Sequence, residues 1–197
     1  MRLRRHADIS GTAVFIAAND DGSLFAQVTA VLDQMGLNIV DARIVLVGEG
    51  RSMHTYTVLE DSGEPITDSA REEDIHRSLV RALGSGQKPK AVARRLPRQA
   101  RMFDTPLRIN VSQDDENQRT VLEIIAADRP GLLSEIGRVF TDSGVYLHNA
   151  KIATVGERAE DVFFITDYMG RPITDDEKLQ QVIDMLQERL GHVSTQR

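Results

Sequence analysis

The sequence predicts an α+β fold made of two ferredoxin-like units, antiparallel sheets with helices on one face. Two observations carry that prediction. Apolar periodicity alternates between period two and helical spacing in the order β-α-β-β-α, and the same ordered pattern returns about 108 residues later in the 197-residue chain. A third observation, an alternating stretch between the two copies, suggests how each unit completes its sheet.

Residues 1–11 are basic, then polar, and carry little pattern. From Thr12, the positions Val14, Ile16 and Ala18 alternate as a strand that ends at Asn19-Asp20-Asp21-Gly22. Leu24, Phe25, Val28, Val31, Leu32 and Met35 recur at helical spacing, and Gly36 stops that helix. Residues 38–47 form a long β-branched run, residues 48–51 a hairpin turn, and residues 53–60 a returning strand. Ile75, Leu79 and Leu83 mark a second helix, with Ser69 and Glu72 spaced as a capping box.

The second copy follows the same plan. Thr12, Ile16, Ala18, Asp20, Leu24, Gly36, Ala42 and Ile44 recur as Thr120, Ile124, Ala126, Asp128, Leu132, Gly144, Ala150 and Ile152. After the hairpin the offset slips to 107, so Gly63, Pro65, Asp68 and Leu79 match Gly170, Pro172, Asp175 and Leu186. A one-residue change falls where it costs least, in a hairpin loop. Each unit wants a fourth strand beside its first. Residues 191–197 are too short and polar to supply it, whereas Leu107, Ile109 and Val111 alternate and lead through a polar turn into residues 120–126. The expectation is a permuted edge strand that arrives first; pairing of 107–111 with 12–18 would contradict it. The organisation is then a first unit over 12–84, a basic linker over 85–105, and a second unit over 106–191 with its edge strand at 106–112.

Composition narrows the chemistry. The chain is 41% hydrophobic and 27% charged, ordinary for a globular protein. It contains no cysteine, which excludes disulfides, thiolate zinc sites and cysteine nucleophiles and is consistent with a cytoplasmic location. No apolar run reaches the length of a membrane span, so no membrane partner is expected. A net charge of −6 argues against general nucleic-acid binding. The linker does carry Lys88, Lys90, Arg94, Arg95, Arg98 and Arg101, but without interleaved aromatic stacking platforms. The five histidines are dispersed, and neither a P-loop nor Gly-x-Ser-x-Gly is present. No nucleophile, acid–base pair or metal cluster stands out, so the chain reads as a binding module.

The candidate binding feature is the strand-to-helix turn at Asp128-Arg129-Pro130-Gly131-Leu132-Leu133. Its proline presets φ for a first helical turn, and its glycine lets backbone amides approach a carboxylate at the helix start. Asp128 offers an acceptor for an ammonium group. The first copy carries Asp20, Gly22, Ser23 and Leu24 there, without the proline. Polar residues at the following strand starts extend the candidate set: Asn38 and Asp41 in the first copy, Tyr146, Asn149 and Lys151 in the second. The same residues also admit a plainer reading, in which the turn is an ordinary corner, Asn38, Asp41 and Asn149 solvate a sheet edge, and Lys151 is a surface charge.

The stretch from Ala127 to Leu133, with Gly144 after a helix, resembles the ACT domain, a βαββαβ module that binds amino acids and controls metabolic enzymes. Residues 94–98, 122–126, 149–154 and 156–164 resemble the C-terminal tandem ACT region of the bacterial PII uridylyltransferase/uridylyl-removing enzymes, and the likeness covers roughly residues 12–190. The resemblance implies a parent that uridylylates the PII signal protein when glutamine is scarce and reverses this when it is plentiful. Its Gly-Ser…Asp-x-Asp domain is expected to use a divalent metal such as Mg, and a His-Asp-type domain performs the hydrolysis. Neither motif is found here. The chain would then be the glutamine-sensing part, with no cofactor of its own, working with N-terminal catalytic domains and PII and pairing with a second copy through the ACT sheets. The family also implies an edge strand ahead of Thr12, which residues 2–9 reproduce poorly, so Met1 reads as an artificial start. The other reading is a stand-alone two-ACT-domain regulator, a transcription-regulating partner that senses a different amino acid.

Overall fold

The computed structural model describes residues 2–5, 11–48, 50–84 and 105–191. In chain order the elements are β1 (Arg2–Arg5), β2 (Thr12–Asn19), α1 (Leu24–Gln34), β3 (Leu37–Gly48), β4 (Arg51–Glu60) and α2 (Ser69–Gly84). The second half contributes β5 (Arg108–Asp114), β6 (Arg119–Ala127), α3 (Leu132–Asp142), β7 (Tyr146–Lys151), β8 (Thr154–Val155), β9 (Arg158–Thr166) and α4 (Asp176–Gly191).

The strands form one antiparallel sheet in the order β1-β2-β4-β3-β7-β9-β6-β5, with β8 beside β9. The permuted edge strand is present: Ile109 lies opposite Ile124 and Val111 opposite Leu122. The first half does the same with a strand that the sequence pattern hides, because Arg2–Arg5 pairs with residues 12–15. Three arginines among four residues give no apolar alternation, yet an edge strand needs only backbone hydrogen bonds on one side and tolerates charge. The first half therefore starts before residue 12. The basic linker cations fall outside the described residues.

Both halves meet at β3 and β7, where Asp41 faces Lys151, Ala42 faces Ala150 and Arg43 faces Asn149. Ala42 and Ala150 are equivalent residues of the two copies, so a pseudo-two-fold axis passes between them. The helices form a single layer in which α1 contacts α3, with α2 and α4 outside them. One apolar core runs beneath the layer, holding Val28, Leu32, Ile75 and Leu79 from one half and Ile136, Val139, Val182 and Leu186 from the other. The Phe25 ring meets Phe163 edge-on at 6.5 Å across the boundary. Each such aliphatic side chain fully removed from water contributes on the order of 1.5–3 kcal/mol.

Helix caps depart from the expected box. Asp68, not Ser69, caps α2: its Oδ1 accepts the Ala70 amide at 2.9 Å, and Ser69 is already helical. Its equivalent Asp175 caps α4 through the amides of Glu177 and Lys178 at 2.9 and 3.2 Å. An aspartate one residue earlier wins because its carboxylate also favours the positive end of the helix.

Candidate functional site between the two halves

The pseudo-two-fold brings the strand start of one copy beside the strand-to-helix turn of the other. A cleft of about 90 Å³ opens there. At 10–15 Å³ per water centre this is room for roughly six to nine waters, the scale of one free amino acid. Its walls come from both halves: Thr29 and Asp33 of α1 with Leu37, Asn38 and Ile39 of β3 face Asp128, Arg129, Gly131 and the first turn of α3. Ile152, Thr154, Ala159 and Asp161 close the floor.

Gly131 is the N-cap of α3 at φ 85°, a left-handed conformation that disfavours any side chain, and no side-chain cap bond is made. Intrahelical bonding begins with the Glu135 amide donating to Gly131 O at 2.9 Å. The amides of Leu133 and Ser134 therefore point out of the helix start without an intrahelical acceptor. Arg129 is committed to an ion pair with Glu135. Asp128 receives a hydrogen bond from the Thr154 side chain, yet burial raises its pKa. Asp161 is only 2% exposed, and its Oδ1 accepts the Ala153 amide at 3.3 Å. Burial first, and the neighbouring Asp128 charge in addition, raise its pKa to about 7.

The first copy satisfies its own turn. Asp20 Oδ1 accepts the amides of Gly22 and Leu24 at 2.8 and 3.2 Å. Its Oδ2 accepts Ser52 Oγ at 2.8 Å and His54 Nε2 at 3.2 Å, and His54 Nδ1 contacts the Tyr56 hydroxyl at 2.9 Å. Burial of Asp20 works against ionisation, but the His54 and Ser52 hydrogen bonds outweigh it and its pKa is lowered. Asp21 Oδ1 takes the Ser23 amide, and Thr141 Oγ1 donates to Gly22 O at 2.7 Å. Little is left at Asp20, Gly22, Ser23 and Leu24 for an added anion.

The candidate residues thus divide. Asn38, Asp128, Arg129, Gly131, Leu132 and Leu133 line the cleft, whereas Pro130, in the same turn, is not among its lining residues. Tyr146 pairs with Thr166 at the start of β7, on the symmetry-related side, and does not line the cleft. Asp41, Asn149 and Lys151 sit on the β3–β7 seam, where burial raises the Asp41 pKa against the opposing charges of Lys151 and Arg43. The sequence reading missed Asp161, Thr154, Asp33 and Thr29. A signal for Asp161 existed: the 107-residue offset aligns it with His54.

A single sheet holds two related units with a ligand-sized cleft between them, and residues 120–188, within the second unit, match the ACT domain. The chain is 40% identical over 178 residues to the bifunctional uridylyltransferase/uridylyl-removing enzyme of Acinetobacter baylyi, an alignment covering 90% of this chain and 20% of that protein. Its likeness to the enzyme of the same name from Methylococcus capsulatus is 46% over 173 residues, 87% of this chain and 20% of the relative. The chain thus spans about a fifth of the length of these relatives. Among solved structures, aspartate kinase from Synechocystis overlays with a TM-score of 0.48 at 17% identity, over 92% of this chain and 27% of the kinase. Among the described residues, no helix is long and apolar enough to cross a membrane.

Proposed function

We propose that the chain is the glutamine-sensing regulatory module of a bifunctional uridylyltransferase/uridylyl-removing enzyme acting on the PII protein in the cytoplasm. The observation that carries this is the cleft itself: unsatisfied amides at the start of α3 suit a carboxylate, the Asp128 side suits an ammonium, and Asn38 suits an amide side chain. The similarity to uridylyltransferase/uridylyl-removing enzymes supports the assignment of parent. A ligand that touches both halves binds best to one relative arrangement of them, and that difference in affinity is what reaches attached catalytic domains. Catalysis, with its divalent metal, belongs to those domains.

The test is titration calorimetry of the full chain with L-glutamine, using D-glutamine as control. The expected result is saturable binding of the L-form at one site per chain. Absence of heat from this chain, alongside a full-length relative that responds to glutamine, would sink the reading for the isolated module.

A further inference from the structure

Superposing the two copies by strand register exposes a chemical reversal beneath the turn. His54 lies opposite Ile16 on β2, and Asp161 lies opposite Ile124, the equivalent residue of β6. Around Asp20 the first copy arranges Ser52, His54 and Tyr56, all buried and hydrogen-bonded in sequence. The second copy has Ala159, Asp161 and Phe163 at those positions. Two hydroxyls are gone, and a second carboxyl stands where the first copy has an N–H donor for the aspartate.

We propose that Asp161 and Asp128 form the ammonium subsite of the cleft, and that a primary-ammonium ligand enters by displacing a proton held on this carboxyl pair. In the first copy His54 already occupies the equivalent place, so a chain carries one such subsite. The proposal deepens the glutamine-sensing reading and rests on it for the ligand's name, though not for its chemical class.

A nearly inaccessible carboxyl with one hydrogen bond is costly, and a fold keeps it where a partner arrives later. No ion pair among the described residues includes Asp161. The groups that face it are identifiable on every side. The turn supplies Asp128 and Arg129, the latter tied to Glu135; α1 supplies Asp33; β3 supplies uncharged Asn38; Thr154 is uncharged. On the hairpin, Arg158 pairs with Glu160. The cations Arg129 and Arg158 are thus already matched by Glu135 and Glu160, and a ligand ammonium is the counter-charge that the Asp128 and Asp161 carboxyls lack. The exchange balances in charge: R–NH₃⁺ enters, one H⁺ leaves to solvent, and no covalent bond in the ligand changes.

Because the carboxyl of Asp161 holds its proton up to about pH 7, affinity for an ammonium ligand should rise roughly tenfold between about pH 6 and about pH 8. The experiment is side-chain carboxyl ¹³C NMR of the full chain, with Asp161→Asn to assign the signal, titrated first with methylammonium and then with L-glutamine. Calorimetry in two buffers of different ionisation enthalpy accompanies it. Both probes should lower the Asp161 midpoint, glutamine binding should release protons near pH 6, and Asp161→Asn or Asp161→His should lose at least about tenfold in affinity. If methylammonium shifts Asp161 and glutamine does not, the subsite holds and glutamine is the wrong ligand. If glutamine binds with Asp161 unmoved and affinity flat with pH, the subsite is overturned while the sensing reading survives. If neither probe moves Asp161, the subsite is overturned.

Discussion

Asp161 makes the second unit less stable at neutral pH than it need be, and the sign of the effect follows from its titration. Burial raises its pKa from 3.8 in the unfolded reference to about 7. Below about pH 3.8 both states hold the proton and Asp161 contributes no pH dependence. Between about pH 4 and pH 7 the folded state holds a proton that the unfolded state has released, so stability falls as pH rises through that window. Above it the penalty is complete, on the order of 1–4 kcal/mol. Asp161→Asn keeps an oxygen to accept the Ala153 amide and removes the charge. The variant should match wild type near pH 4 and melt several degrees higher near pH 8, as followed by thermal denaturation. A lower melting temperature at pH 8 would show that the carboxylate is already compensated. Asp20 has the opposite sign: its lowered pKa is a stabilising contribution above the unfolded value, lost as pH falls through the folded one. One fold thus holds the same turn in a sealed and an open form, and the difference lies in Ser52, His54 and Tyr56 against Ala159, Asp161 and Phe163.

At the scale of elements, the contact between α1 and α3 sets the width of the cleft. The two helices approach closely because Gly137 has no side chain; a Cβ there would stand 2.7 Å from Phe25 Cδ1 and 3.0 Å from the Ala26 Cα. Ser134 Oγ donates to Ala26 O at 3.1 Å, a bond possible only at this spacing. Gly137→Ala meets backbone as well as a ring, so the helices must separate. Overpacking of this kind costs typically 1–3 kcal/mol, and denaturant melts should show that loss together with weaker ligand binding; an unchanged midpoint would mean that the helices can slide without cost. Helix and strand identities were legible in sequence because periodicity reports burial, and Val14, Ile16, Val28 and Leu32 are all buried. Leu107–Val111 was legible as an edge strand for the same reason. Arg2–Arg5 was not, since its contribution is backbone hydrogen bonding with no apolar pattern. The site was half legible. The turn with Pro130 and Gly131 has a local signature, but which strand start faces it depends on the two-fold arrangement: Asn38 joins it and Tyr146 does not. Asp161 has no local motif at all; only its alignment with His54 marks it.

For the whole molecule, the question is whether two copies joined by a short seam behave as one body. The β3–β7 register includes only Asp41–Lys151, Ala42–Ala150 and Arg43–Asn149, too little to couple two domains alone. The layer above adds the α1–α3 contact, the Phe25–Phe163 ring pair, and the bonds from Ser134 to Ala26 and from Thr141 to Gly22. The Ser134–Ala26 bond and the ring pair are buried, the Thr141–Gly22 bond is half-buried, and the rings belong to the same core that each half needs for itself. Unfolding one half would expose the inner faces of α1 or α3 and strip its partner of packing. The expected outcome is a single calorimetric transition whose van't Hoff and calorimetric enthalpies agree. Two resolved transitions in wild type would mean that each half is stable without the other. The Gly137→Ala variant provides the internal comparison, since loosening the helix layer should lower the ratio of the two enthalpies before it abolishes folding. Cooperative coupling is also what a ligand in the cleft would act on: a molecule bound across both halves stabilises the joined state by RT ln(1 + [L]/Kd), and the seam and helix layer carry that stabilisation across the sheet.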